Sequence, residues 1–171
     1  MVKIVEADEE AIRNLSRMLM KILEDENGEI YQENVAKFGI PKEYVKRAFI
    51  EENLLKMRNM GKAKFYLAME DYCKTIIGFA QTMIIDEDTI ELDRIIIFPE
   101  FTRKGIGTSL LQYTIKESKQ RGFKKVVVNA GKDELHARRF YENNGFKKIE
   151  EYTIDAPWGK KLDLVSYQFS L

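Results

Sequence analysis

The chain has 171 residues, enough to bury one hydrophobic core but not two of ordinary size. Lysine plus arginine and aspartate plus glutamate balance at 28 each, so no overall charge directs the protein to nucleic acid or to an anionic membrane. A single cysteine, Cys73, excludes an internal disulfide, and with a single histidine, His136, no zinc constellation is expected.

No stretch reads as a signal peptide or as a span of about 20 apolar residues, so a cytoplasmic protein is expected. The first predicted element is a short strand from Val2 to Val5. Asp8 then caps a helix whose Ile12, Leu15, Leu19, Ile22 and Leu23 form one apolar stripe at helical spacing, the pattern of a core-facing surface. The polar run Glu24-Asp25-Glu26-Asn27-Gly28-Glu29 ends it. A second helix starts at Pro41, a favoured first-turn residue, and turns Val45, Ala48 and Phe49 inward; a separate piece continues through Leu54 and Leu55. Phe65 to Met69 and Thr75 to Ile85 read as strands, and Asp86-Glu87-Asp88 as the turn into a third.

In that third strand Ile95, Ile96, Ile97 and Phe98 run β-branched and aromatic up to Pro99, which can neither donate to a ladder nor continue a strand interior. From Lys104 onward the spacing is helical, with Ile106, Leu110, Leu111 and Ile115 toward a core, Lys116, Glu117 and Arg121 toward water, and Gly122 as the stop. Gly105 and Gly107 stand at the entrance of this helix, where the first backbone N–H groups have no partners, and Arg103 and Lys104 add positive charge. Such an entrance is a pocket for phosphate. Taken alone, the glycine pair also fits a dinucleotide-binding turn or a plain tight connection. A dinucleotide fingerprint would need a third glycine, where Leu110 stands, and no Walker-type string occurs. Further on, Val126 to Val128 is a short buried strand. Asp133 caps a helix that stops at Asn144-Gly145, and Phe146 to Tyr152 and Leu162 to Phe169 complete a sheet.

The strand, the proline and the loop Thr102-Arg103-Lys104-Gly105-Ile106-Gly107 resemble motif A of the GNAT family of acetyl-CoA-dependent N-acetyltransferases, whose loop reads Gln/Arg-x-x-Gly-x-Gly/Ala. Thr102 occupies its Gln/Arg position. Downstream, Ala137-Arg138-Arg139-Phe140-Tyr141-Glu142-Asn143-Asn144-Gly145-Phe146 resembles the family's Ala-x-x-x-Tyr-x-x-x-Gly-Phe, with Glu134 where an asparagine is common. The resemblance implies one N-acetyltransferase domain over residues 1–171. Its α/β fold would have a mixed, largely antiparallel central sheet, helices on both faces, and a splayed pair of parallel strands carrying Ile95 to Ile97 and Val126 to Asn129. It further implies acetyl-CoA as cosubstrate, no metal, and a cofactor held largely by main chain. The N–H of Ile95 would face the developing oxyanion and that of Ile97 the pantetheine arm, with Ile96 between them. The N–H groups of Arg103, Lys104, Gly105, Ile106, Gly107 and Thr108 would hold the pyrophosphate. Asn129, Glu134 and Tyr141 would lie beside the pantetheine and its sulfur.

Acetyl transfer to an amine sets its own requirements. An alkyl amine with a pKa near about 10.4 is mostly protonated at neutral pH, and freeing its lone pair costs roughly 4–5 kcal/mol. A fixed N–H aimed at the thioester oxygen is worth roughly a hundredfold in rate. Tyr141 falls where the family often has a tyrosine beside the sulfur and could protonate the leaving thiolate; the other reading is an aromatic packed beneath motif A. Glu91, eleven residues before Thr102, falls where histone-acetylating relatives carry a catalytic glutamate. Period-two alternation puts it on a face with Asp93, Ile95 and Ile97, where burial would raise its pKa toward the working range; the other reading is a solvated carboxylate after an acidic turn. Asn129 stands where peptide-acetylating relatives place a glutamate, and an amide cannot take a proton.

His136 reads as a surface first-turn residue, and Arg138 and Arg139 either meet the cofactor's 3′-phosphate or are solvated. Cys73 has no base partner that would make it a nucleophile. Trp158, in the hairpin before the last strand, lines an acceptor mouth or caps the core. Glu24, Asp25, Glu26, Glu29 and Glu33 would suit a cationic amine, a polyamine or a peptide, or are simply solvated. The expected activity is acetyl transfer from acetyl-CoA to a primary amine by direct attack in a ternary complex. The alternative is a GNAT-fold module that binds acyl-CoA as a sensor without turnover, and a nucleotide-binding module is more distant. No nucleic acid or membrane partner is expected, and family habit is compatible with a homodimer.

Overall fold

The computed structural model describes residues 1–70 and 74–171, so the reading of Cys73 lies outside the described residues. Val2–Glu6 forms β1, and Asp8 accepts a hydrogen bond from the Ala11 N–H at 2.8 Å to start α1 (Glu9–Glu24). Ile12, Leu15, Leu19 and Leu23 of the apolar stripe are buried, and Ile22 is half-buried at its edge. The polar break is shorter than its composition suggests. Gly28 begins a further helix, α2 (Glu29–Asn34), which buries none of its residues and leads into a 3-10 turn at Ala36–Phe38. With no apolar stripe, α2 left no periodic signal to read.

Pro41 precedes α3 (Lys42–Phe49), and α4 (Glu51–Asn59) follows at once. Val45, Phe49 and Leu54 are buried as expected, but Ala48, on the same side of α3 as Val45, is exposed. The strands β2 (Ala63–Glu70), β3 (Thr75–Ile84) and β4 (Thr89–Ile97) form an antiparallel meander. After them come α5 (Ile106–Gln120), β5 (Lys125–Gly131), α6 (Leu135–Asn143), β6 (Lys147–Asp155) and β7 (Lys161–Ser170). Glu134, not Asp133, is the residue before α6, and neither side chain caps it. Arg121, expected in water, is half-buried with its guanidinium carbon 5.1 Å from the Phe123 ring centroid.

All seven strands belong to one sheet in the order β1-β2-β3-β4-β5-β7-β6, and only β4 and β5 run parallel. One face packs on α1 to α4 through Phe65, Leu67, Phe79, Ile96 and Phe98. The other packs on α5 and α6 through Tyr66, Ile90, Leu92, Val126, Val128 and Tyr167. This is the mixed sheet with helices on both faces that the sequence implied.

Candidate active site

The parallel pair is short. Thr89, Ile90 and Glu91 of β4 pair with Lys125, Val126 and Val127 of β5, and beyond them the strands separate. Across the resulting gap the backbone of β4 has no strand partner. The N–H of Phe98 donates to Ile77 O at 3.0 Å, so by the period of two the N–H of Ile96 also points to β3 while those of Ile95 and Ile97 point into the gap. Ile95 and Ile97 are thus free donors on the open side, as expected; Ile96 instead contributes its buried side chain.

Pairing of β3 with β4 shifts by one residue near the gap, Gln81 opposing Arg94 and Thr82 opposing Leu92. Asp93 is the extra residue of a β-bulge. Before it, Ile90 and Leu92 face the α5–α6 core; after it, Ile95 and Ile97 do, and Ile96 and Phe98 face α1 to α4. Glu91 therefore lies on the face opposite Ile95 and Ile97, correcting the simple alternation read from the sequence. That face also carries Asn129, since Val126, Val128 and Ala130 of β5 take the other one. Burial first, and the charge of Asp93 second, push the Glu91 carboxyl up from its ordinary value, while the neighbouring Asn129 amide opposes them.

The loop after β4 builds the helix entrance from backbone. Arg103 (φ 61) and Gly105 (φ 75) are left-handed, an uncommon state for arginine. No side chain caps α5, so the N–H groups of Ile106, Gly107 and Thr108 point outward from its positive end. Thr102 turns its hydroxyl back to Pro99 O at 3.0 Å. A Cβ on Gly107 would meet only Phe140 at 3.6 Å and Ile97 at 3.8 Å, which is ordinary contact. Nothing inside the protein demands glycine there, so its absent side chain leaves room for something outside.

A groove of about 800 Å³ runs along this entrance, lined by Ile95, Ile97, Arg103, Gly105, Ile106, Gly107, Thr108 and Tyr141 together with Thr102 and His136. Lys104 stands outside it with its ammonium 5.6 Å from the Phe101 ring centroid. On the other side of the sheet lies a cavity of about 490 Å³, lined by Asp93, Arg94, Ile96, Asn129, Glu134, Trp158 and the aromatic residues Phe38, Tyr44 and Phe49. Both share Ile95, Ala137 and Tyr141. Tyr141 is buried among Phe140, Phe146 and Tyr167, with ring centroids 5.4, 5.8 and 6.3 Å away. Burial, with the charge of Glu134 adding to it, holds its phenol well above the usual tyrosine range. Tyr141 is thus packed in the core and also lines both cavities.

The family profile described as Acetyltransferase (GNAT) family matches residues 18–146. The chain belongs to the GNAT acetyltransferase family. It is 31% identical over 118 residues to the spermidine N(1)-acetyltransferase of Thermoplasma acidophilum, covering 69% of this chain and 71% of that one. In fold it is similar to a GNAT acetyltransferase from Staphylococcus aureus, 23% identical, with a TM-score of 0.73 over 100% of this chain and 99% of the other. The PaiA N-acetyltransferase of Thermoplasma acidophilum, solved in complex with coenzyme A, gives a TM-score of 0.65 at 22% identity over 99% of each chain. As a GNAT member, the protein is an acyl-CoA-dependent N-acetyltransferase. No group of three His, Cys, Asp or Glu side chains among the described residues is arranged to hold a metal ion. No helix among them is long and apolar enough to cross a membrane.

Other candidate residues are engaged within the protein itself. The Glu134 carboxylate accepts from the Gly131 N–H at 2.7 Å and lies 4.0 Å from the Lys37 ammonium. Arg138 donates to Tyr167 Oη at 2.9 Å and to Lys132 O at 2.7 Å, whereas His136 and Arg139 are exposed. Trp158 donates to Phe38 O at 3.1 Å and packs edge-on to Tyr44, tying the last hairpin to the turn after α2. Of the acidic run, Glu26 pairs with Lys42 at 3.0 Å and Glu29 reaches the rim of the groove. Sequence reasoning missed Asp93, Arg94 and Tyr152. A bulge has no residue signature, and Tyr152 gains its place only through long-range strand pairing.

Proposed function

We propose that the protein moves an acetyl group from acetyl-CoA to a primary amine of an aliphatic polyamine or similar cationic molecule, by direct attack in a ternary complex. The observation that carries this is the meeting of groove and cavity at Ile95 and Tyr141, on either side of the gap between β4 and β5. All seven strands in one sheet support treating the chain as a single transferase unit. Acetyl-CoA would lay its pyrophosphate on the N–H groups from Arg103 to Thr108 and its pantetheine arm along β4, using the free N–H of Ile97. The N–H of Ile95 is then the donor for the thioester oxygen as it gains negative charge.

The acceptor amine enters through the aromatic cavity. Asp93 and Glu134 give that cavity carboxylates, and Tyr44 and Trp158 give it apolar walls, a combination that suits an alkyl ammonium. Similarity to a spermidine acetyltransferase points the same way. Glu91, set back from the lining beside Asn129, takes the ammonium proton through an intervening water. Its raised pKa brings it closer to the working pH of a base. Tyr141, which lines both groove and cavity, then gives a proton to the leaving thiolate.

Thiol release from acetyl-CoA against spermidine, other polyamines, amino acids and short peptides tests the proposal, with calorimetric acetyl-CoA binding in parallel. Polyamine-dependent release is the expected result. Release with peptides alone would move the acceptor class, and tight binding without release for any amine would replace the enzyme reading by that of an acyl-CoA sensor.

A further inference from the structure

Tyr152 belongs to β6, which does not touch β5; β7 lies between them. Its backbone pairs with Leu164 of β7, and Asn129 of β5 pairs with Ser166 of the same strand. The phenol reaches diagonally across β7 and donates to Asn129 Oδ1 at 2.6 Å. A primary amide whose oxygen is held on one side must present its N–H₂ on the other. That side faces Glu91, placed on the Asn129 face of the sheet by the Asp93 bulge. We infer that Tyr152 is a positioning residue for acetyl transfer, locking the Asn129 amide so that it donates to the Glu91 carboxylate. The inference rests on the reading of Glu91 as the base.

Two observations support a role beyond packing. Tyr152 is only half-buried, so the hydroxyl could have been left to water, yet it makes a short bond to one specific atom. Burial and Asp93 on its own strand are both unfavourable to the Glu91 charge. Asn129 is the one neighbour that stabilises the carboxylate. If the amide were free to flip, its oxygen would face Glu91 and the base would lose that donor.

The test is the pH dependence of turnover with saturating acetyl-CoA in the wild type, Tyr152→Phe, Asn129→Ala, the double variant and Glu91→Gln. Loss of a hydrogen bond to a partly exposed carboxylate should move the low-pH break upward by about half to one pH unit in either single variant. The double variant should move it no further, and the acetyl-CoA Kd of Tyr152→Phe should equal that of the wild type. A break that stays in place in Tyr152→Phe, while Glu91→Gln abolishes it, overturns the inference and leaves the Glu91 reading standing. A shift in Tyr152→Phe without one in Asn129→Ala overturns the route through the amide. A break that survives Glu91→Gln removes the base assignment itself and this inference with it.

Discussion

The groove beside α5 and the cavity beneath α1 to α4 are built from different materials. The groove is mostly main chain, made of two outward N–H groups on β4, an uncapped helix start and left-handed turns at Arg103 and Gly105. The cavity is mostly side chain, with Tyr44, Phe49, Asp93, Arg94, Asn129 and Trp158 arriving from three separate elements and one loop. A main-chain site tolerates few changes of backbone and is indifferent to many side chains. A side-chain site can be refitted one residue at a time, which suits a surface that must choose among amines.

Substitutions can break this contrast, and the largest effect is expected where the chemistry is. Glu91→Gln should lower kcat by about a hundredfold, the usual contribution of a positioned base. It should also flatten the low-pH break while leaving acetyl-CoA binding intact. Because burial raises the Glu91 pKa, that break should lie above the ordinary carboxylate range, the rate falling as pH drops through it and the base is protonated. Tyr141→Phe should cost about tenfold to a hundredfold in kcat with an unchanged acetyl-CoA Kd, read by calorimetry and single-turnover kinetics. Full activity would return the residue to its packing role.

Gly107→Ala addresses the groove. With only ordinary contacts awaiting its Cβ, it should leave the melting temperature within about 2 °C of the wild type. Acetyl-CoA binding should weaken about tenfold, because the methyl group occupies space kept for the ligand. Trp158→Ala addresses the cavity and should raise the acceptor KM by about three- to tenfold with the donor KM unchanged. Equal effects on both KM values in either variant would mean that the two regions are not separable.

The smallest effect concerns stability. A carboxyl whose pKa is raised in the folded state favours folding below its unfolded pKa and loses that contribution as pH rises through the folded value. Glu91→Gln should therefore melt slightly above the wild type at neutral pH, by about 1–2 °C, with the difference vanishing in acid. Thermal scans from pH 4 to pH 8 would reveal it.

The same contrast explains what could be read from the sequence. Gly105 and Pro99 are residue types that a particular backbone demands, and Gly107 stands two positions from the first, so the groove announced itself in one contiguous segment. The splayed strands followed from the resemblance, and the apolar stripe of α1 from its spacing. Nothing comparable marked the cavity. Helix α2 has no buried face, Trp158 meets Phe38 across 120 positions of sequence, and Tyr152 reaches Asn129 over an intervening strand. Glu91 was singled out by position but assigned to the face of Ile95 and Ile97, because one unpaired residue, Asp93, shifts every later side chain of β4 by half a repeat. Glu134 and Arg138 show the same limit: their charge was legible, but their engagement by the Gly131 N–H and by Tyr167 was not.

That unpaired residue adds to β4 one position that β3 does not match. Were Asp93 to pair with β3 like its neighbours instead of bulging out, the two sides of everything downstream would be exchanged. Ile96 would then offer its N–H to the open gap while Ile95 and Ile97 spent theirs on β3, and the isoleucine side chains would trade layers. The parity of a single strand thus decides both which atoms are free to meet a thioester and which carboxylate stands across the sheet from them.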